Sequence, residues 1–267
     1  MKRALLFLMI TGLSAMTVWS QKKETRSVSG FTGIDASGMF DIAVTKGNKE
    51  SLIIEADNEV MPYVRSEVRN GVLNLYLENK ENKIRNVKVL KASIVMKNLD
   101  EVTLSGACKL TANDLFTPDK FKVDCSGASN LEIKINTGQL DIEASGASQI
   151  WLKANITGNT RLDVSGLSKI HGELKAANVK FDSSGASSIE LTGSGVDFNI
   201  DASGTTKIEA EDFAVKTATV QSSGMCKVTV NVSKVLNVDA SGMSSVNYKG
   251  SPALEVNNSK MAKVKKI

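Results

Sequence analysis

The pair Ser-Gly recurs at Gly106, Gly127, Gly146, Gly166, Gly185, Gly204, Gly224 and Gly242, at spacings of 18 to 21 residues. A repeat this short has no room for a crossover helix. Four residues before the glycines stand Val102, Val123, Ile142, Leu162, Phe181, Ile200, Val220 and Val238. Four residues after them stand Leu110, Leu131, Ile150, Ile170, Ile189, Ile208, Val228 and Val246. With 42% of the chain apolar, such agreement would arise by chance roughly once in a million trials, so the alternation is a true period-two signal.

Each unit therefore reads as a strand, a Ser-Gly bend, a second strand and a loop that often carries glycine ("NTG" from Asn136, "ITGN" from Ile156, "LTGSG" from Leu191). A hairpin array would not return the same inward face at the same phase. In-register stacking does so, burying each inward row against its own copy and pairing each strand in parallel with its successor. The expected fold class is all-β, a single-stranded parallel β-helix (solenoid) with about 19–20 residues per coil. The chirality of parallel crossovers makes a right-handed coil the expectation. Twenty glycines, three prolines and 5% aromatics agree with many tight turns around a core of small branched side chains.

Glycine suits the bend because a left-handed backbone costs it little. Two residues beyond it stand Cys108, Ser129, Ser148, Ser168, Ser187, Thr206, Cys226 and Ser244. Stacked at one level, these are expected to pass hydrogen bonds up a column, as polar ladders do in other in-register stacks.

Residues 1–20 begin with Lys2 and Arg3, continue with a short apolar run and place Val18 and Ser20 at the minus-three and minus-one positions of a cut before Gln21, the pattern of a secretory signal peptide. Export to the periplasm, the cell surface or the medium is expected, with no transmembrane segment in the mature chain. Residues 21–100 read as an N-terminal β region with a first coil around Gly38, flanked in phase by Ile34 and Ile42. The repeat then lapses. "SLIIEAD" reads as a strand, "NEVMPYVRSEVR" as a short helix or extended connector, and "RNGVLNLYLEN" as a hairpin start turning at Asn70-Gly71. "VKVLKASIVMKN" is a further strand, and the whole insertion widens the first coils or caps their open end. Residues 101–267 hold the β-helix repeats, continuous with the preceding region. They finish in a degenerate coil that keeps Val256 and Val264 in phase and has Lys260 in place of glycine.

The chain has 33 basic and 29 acidic residues; without Lys2 and Arg3 the balance is 31 to 29. Such a balance gives no bulk drive toward nucleic acid. The sharpest chemical feature is an outward row three residues before the glycines: Asp124, Glu143, Asp163, Asp182 and Asp201, followed by Gln221 and Asp239. Stacked carboxylates about 5 Å apart require countercharges or a cation. Lys122, Arg161 and Lys180, two residues earlier, and Lys169, Lys207 and Lys227, across the bend, make this a solvated charged face. Calcium shared between coils is the alternative, with the five carboxylates as its candidate ligands.

Glycosidic chemistry would need two carboxylates in distinct environments within a cleft, whereas this row reads as uniform and convex. Trp151 and His171, both five residues after a bend glycine, are expected to stack outside as a small aromatic patch. His171 is the only histidine, so no His-dependent triad can form within one chain. No phosphate loop or dinucleotide fingerprint is present. Cys108 and Cys226 lie six coils apart, about 29 Å, beyond disulfide reach. Cys108 and Cys125 fall on opposite arms of the bend, so all three cysteines are expected to be buried free thiols.

The opening "FTGIDASGMFDIAVTKG", the "NGVLNLYLE" segment and the tandem "SGAS" units resemble the head GIN domain family of auto-transporter adhesins, secreted bacterial proteins with a domain of unknown function. The resemblance spans roughly the whole mature chain. It implies a pectin-lyase-like parallel β-helix, export, and a role in adhesion, and it brings no catalytic residues. The auto-transporter part fits poorly, because the stretch after Val246 holds too few strands for a translocating barrel. The expected function is that of a secreted, non-enzymatic adhesin-like or scaffold β-helix, presenting repeated polar faces to a surface, glycan or protein. No catalytic group or cofactor is expected, and self-association, end to end or side by side, is compatible. The alternative is a carbohydrate-active β-helix enzyme of the polysaccharide lyase or hydrolase kind.

Overall fold

Nine glycines, from Gly38 to Gly242, stand one above another at the bend, each with a positive φ between 65° and 106°. The computed structural model describes residues 21–78 and 87–267, and the signal-peptide reading of residues 1–20 lies outside them. Those residues form a β-solenoid of about nine turns. Strands pair in parallel from coil to coil, as in Leu140↔Thr160 and Ile150↔Ile170. Among the described residues the only helical element is one short 3₁₀ turn, Met61–Tyr63.

Left-handed backbone is only half of the reason for glycine. A Cβ on Gly166 would lie 2.5 Å from the carbonyl oxygen of Gly146, and each bend glycine from Gly106 to Gly242 meets its predecessor in the same way. Gly38 is the exception, since a Cβ there would meet nothing within 4 Å. The stack of bends begins with it.

The two inward rows read from the sequence are buried from Ile34 to Val238 on one arm and from Ile42 to Val246 on the other. Each such side chain contributes about 1.5–3 kcal/mol of burial. The core is not built of branched aliphatics alone, because Phe31, Phe40, Phe116, Phe121, Phe181, Phe198 and Phe213 are also fully buried. Phe198 and Phe213 meet edge to face, 5.6 Å between centroids.

Three expectations need correction. The second corner, read as a loop, is continuous strand in several coils, as in Gln149–Val164 and Lys169–Ser183. The ladder only shifts register there, between Ile156 and Asn159. Secondly, the bend hydroxyls mostly do not form a column ladder. Ser129 Oγ donates to the Ser126 carbonyl at 2.6 Å, Ser148 to Ser145 at 2.8 Å and Thr206 to Ser203 at 2.9 Å, each closing its own turn. Cys226 does the same toward Ser223 at 3.0 Å. A carbonyl three residues back is nearer than a hydroxyl one coil away; among the described residues hydroxyls link neighbouring coils where Thr206 meets Ser183 at 2.7 Å and Ser187 at 3.4 Å. Side-chain ladders do appear at the second corner, where Asn155 donates to Asn136 at 3.0 Å and Asn178 to Asn159 at 3.1 Å. The third correction concerns the acidic row and is given with its site.

The insertion after the first coil both widens and caps it. Strand Gly33–Gly38 lies between Val72–Leu77 and Glu101–Gly106, and Asp41–Lys46 lies between Leu90–Met96 and Lys109–Phe116, all in parallel. Gly38 and Gly106 are therefore direct neighbours although 67 residues intervene. Beyond this layer the strands turn antiparallel: Ser51–Asp57 on Leu90–Met96, Gln21–Arg26 on Ser51–Asp57, and Val64–Arg69 on Val72–Leu77. The last pair turns at Asn70 and Gly71, with φ of 52° and 79°, as the Asn-Gly signal requires.

All three cysteines are free and buried. Burial, then the charge of Asp124, pushes the Cys125 thiol up to about 12, and burial likewise raises Cys108.

Candidate ligand-binding faces

Period-two alternation sends every second side chain outward, and the parallel register lines these up in rows along the solenoid. Two outward rows border a depression large enough to hold part of a ligand.

The first is the acidic row, in the register Asp124↔Glu143↔Asp163↔Asp182↔Asp201. It is not convex. These carboxylates and the bend serines Ser145, Ser165, Ser184 and Ser203 line an open groove of about 450 Å³. Countercharge comes from within the same strands. Arg161 Nε donates to Asp163 at 2.8 Å and Lys180 Nζ to Asp182 at 2.7 Å. The hydrogen bond to Asp163, first, holds the Arg161 guanidinium above its ordinary value. Burial, then the charge of Asp124, raises the Asp35 carboxyl. Among the described residues no three His, Cys, Asp or Glu side chains gather closely enough to hold a metal ion.

The second row runs Glu132↔Trp151↔His171↔Glu190. Trp151 and His171 stack with ring centroids 5.7 Å apart and planes 11° from parallel, so these two sequence-predicted residues are brought together. Trp151 remains 41% exposed. His171 Nδ1 lies 3.0 Å from Glu190 Oε2, which fixes the imidazole at one end of the stack. Beside it Lys153 and Glu173 pair at 2.7 Å. Leu152 and Gly172 contribute to a shallow trough of about 300 Å³ between the two rows. Sequence reasoning found the rings but not their polar neighbours. Glu132 and Glu190 could have been found by projecting the five-after-glycine position onto adjacent coils.

The pattern that defines the family described as "Putative auto-transporter adhesin, head GIN domain" matches residues 30–158 and again 152–252. This chain belongs to that family. Solved structures share the fold of this head GIN domain chain. A protein from Parabacteroides distasonis ATCC 8503 described as a "Putative lipid binding protein" is 17% identical, with 92% of this chain and 96% of that chain covered and a TM-score of 0.68. A "putative adhesin" from Parabacteroides merdae ATCC 43184 is 18% identical over 92% of this chain and 96% of that one, with a TM-score of 0.61. A further "putative adhesin" from P. distasonis ATCC 8503 is 18% identical over 93% and 97%, with a TM-score of 0.60. At such identities the likeness concerns the fold. No curated protein matches the chain. No helix among the described residues is long and apolar enough to cross a membrane.

Proposed function

We propose that this chain is an exported, non-enzymatic adhesin-like module that holds a glycan across its Trp151 face. The observation that carries this reading is the half-exposed Trp151–His171 stack, flanked in register by Glu132 and Glu190 and beside the Lys153–Glu173 pair. An exposed aromatic face offers an apolar platform to a sugar ring, while carboxylates and an ammonium at its rim can meet hydroxyls. The rigid ladder beneath fixes these groups without further ordering cost. Membership of a family described as adhesins supports a surface role. A single histidine leaves no His-dependent triad within one chain.

The test is a glycan array probed with the purified protein, followed by calorimetry on the retained sugars. Trp151→Ala is expected to weaken binding more than about tenfold with an unchanged melting temperature, since aromatic stacking is worth a kcal/mol or more. Retention of no glycan, or binding indifferent to Trp151→Ala, would remove the support for this face.

A further inference from the structure

The position directly after the bend glycine forms a row that neither acidic groove nor aromatic face uses. Met39, Leu167, Met225, Met243 and Met261 occupy it and are 48 to 65% exposed. The intervening positions are Ala107, Ala128, Ala147, Ala186 and one polar residue, Thr205, all exposed as well. The row is in register. Leu167 N–H donates to the Gly146 carbonyl at 2.7 Å, and Met225 and Met243 N–H donate to Gly204 and Gly224 at 2.8 Å. With nine coil spacings at about 4.8 Å, this makes an apolar ridge roughly 43 Å long on a rigid edge. Solvated turns do not call for methionine or leucine, and an apolar strip of this length, broken only at Thr205, marks a contact surface.

Charge decides what the ridge fits. Along one flank, beyond the bend serines, runs the row of Asp124, Glu143, Asp163, Asp182 and Asp201. Along the other flank, two residues beyond the ridge, lie Lys109, Lys169, Lys207, Lys227 and Lys263, all exposed, alternating with neutral residues and with one acid, Asp41, beside Met39. A second copy placed ridge to ridge by a two-fold axis parallel to the solenoid sets the acidic flank of each chain against the lysine flank of the other. A two-fold axis perpendicular to the solenoid would instead oppose acid to acid. An anionic membrane would be repelled by one flank of the same edge.

We propose that the bend ridge is a self-association surface, on which two copies pair side by side, parallel and in register. Each ridge residue then meets its own counterpart, Leu167 against Leu167 and Met243 against Met243. Apolar contact at the centre with opposed charges at the rim is the anatomy of a specific interface, and its isologous symmetry closes at two chains. It is independent of what the Trp151 face binds.

Light scattering and sedimentation of the purified protein over a range of concentrations should show a dimer whose dissociation constant rises with salt. Leu167→Glu sets two carboxylates against each other and should weaken the dimer by more than about tenfold, with the melting temperature unchanged at concentrations where the protein is monomeric, because the side chain is exposed there. Leu167→Cys and Met243→Cys, oxidised separately, should each cross-link to its own copy, since the three native thiols are buried. A chain that stays monomeric up to its solubility limit overturns the proposal. So does a dimer that tolerates Leu167→Glu or cross-links at neither position. Co-sedimentation of the monomer with phosphatidylglycerol vesicles, abolished by Leu167→Glu, would assign the ridge to lipid and overturn it equally.

Discussion

Leu73, in a strand laid outside the first coil, is fully buried, whereas Leu254, in the last coil, is 45% exposed. Leu73 is covered by the antiparallel strand Val64–Arg69 on one side and pairs with the first coil on the other. Among the described residues the strand Ala253–Asn258 pairs only with Lys227–Ala240, and its six residues are all exposed. The inward columns thus end differently at the two ends of the stack, and the last member of the column that holds Leu73, Val256, is itself 38% exposed. In a quasi-one-dimensional fold, stability is a sum of contacts between nearest coils. A coil covered on both sides counts two such contacts, and the final coil counts one. Lys263, Lys265 and Lys266 in the last strand guard that end by charge instead of by cover.

The largest expected effect separates the first bend from those stacked on it. Gly38→Val carries only the strain of a left-handed β-branched residue, about 1–2 kcal/mol. Gly166→Val adds a Cβ pressed onto the Gly146 carbonyl, and a loss above about 4 kcal/mol is expected. Equilibrium urea unfolding of the two variants measures the difference directly. Equal losses would mean that the stacked contact costs nothing and that φ alone selects glycine.

Next in size is a test of the two ends themselves. Leu73→Ala should cost about 2–5 kcal/mol as a buried truncation. Leu254→Ala should stay within about 0.5 kcal/mol as a surface change. A costly Leu254→Ala would show that the last coil is covered in solution.

The smallest effect is kinetic and uses the native thiols. Cys108 and Cys125 lie near the capped end and Cys226 lies near the other. In denaturant below the unfolding midpoint, Cys226 should react with a thiol reagent before the other two, because local opening begins where fewest contacts must break. Burial holds Cys125 protonated in the folded state, so its labelling reports opening. Simultaneous labelling of all three would make the solenoid a single cooperative unit and dissolve the difference between its ends.

Much of this was legible before any coordinates. The eight aligned glycines with apolar residues four before and four after fixed the coil, the parallel pairing and the inward rows, because period-two alternation at constant phase has few other solutions. Asn70-Gly71 named its hairpin for the same local reason. The stacking of Trp151 on His171 followed from their equal offsets on adjacent coils. Less legible was the groove beside Asp163, since whether a row of acids stands proud or recessed depends on how sharply the backbone turns beyond it. The partner of the Ser148 hydroxyl was not legible either, because two acceptors compete for it and sequence does not give their distances.

The sequence by itself determined the repeat, its phase and the residues that face the core, since those rest on local backbone preference and on burial, both written in residue order. Only the tertiary structure decided that Gly38 and Gly106 are neighbours, since the pairing of strands across an insertion depends on which edges remain open. It also decided that bend glycines are needed for close approach as well as for φ, and that the residues after them line up as one exposed ridge. Those facts arise from contacts between coils, and a contact between coils is a property of the stack.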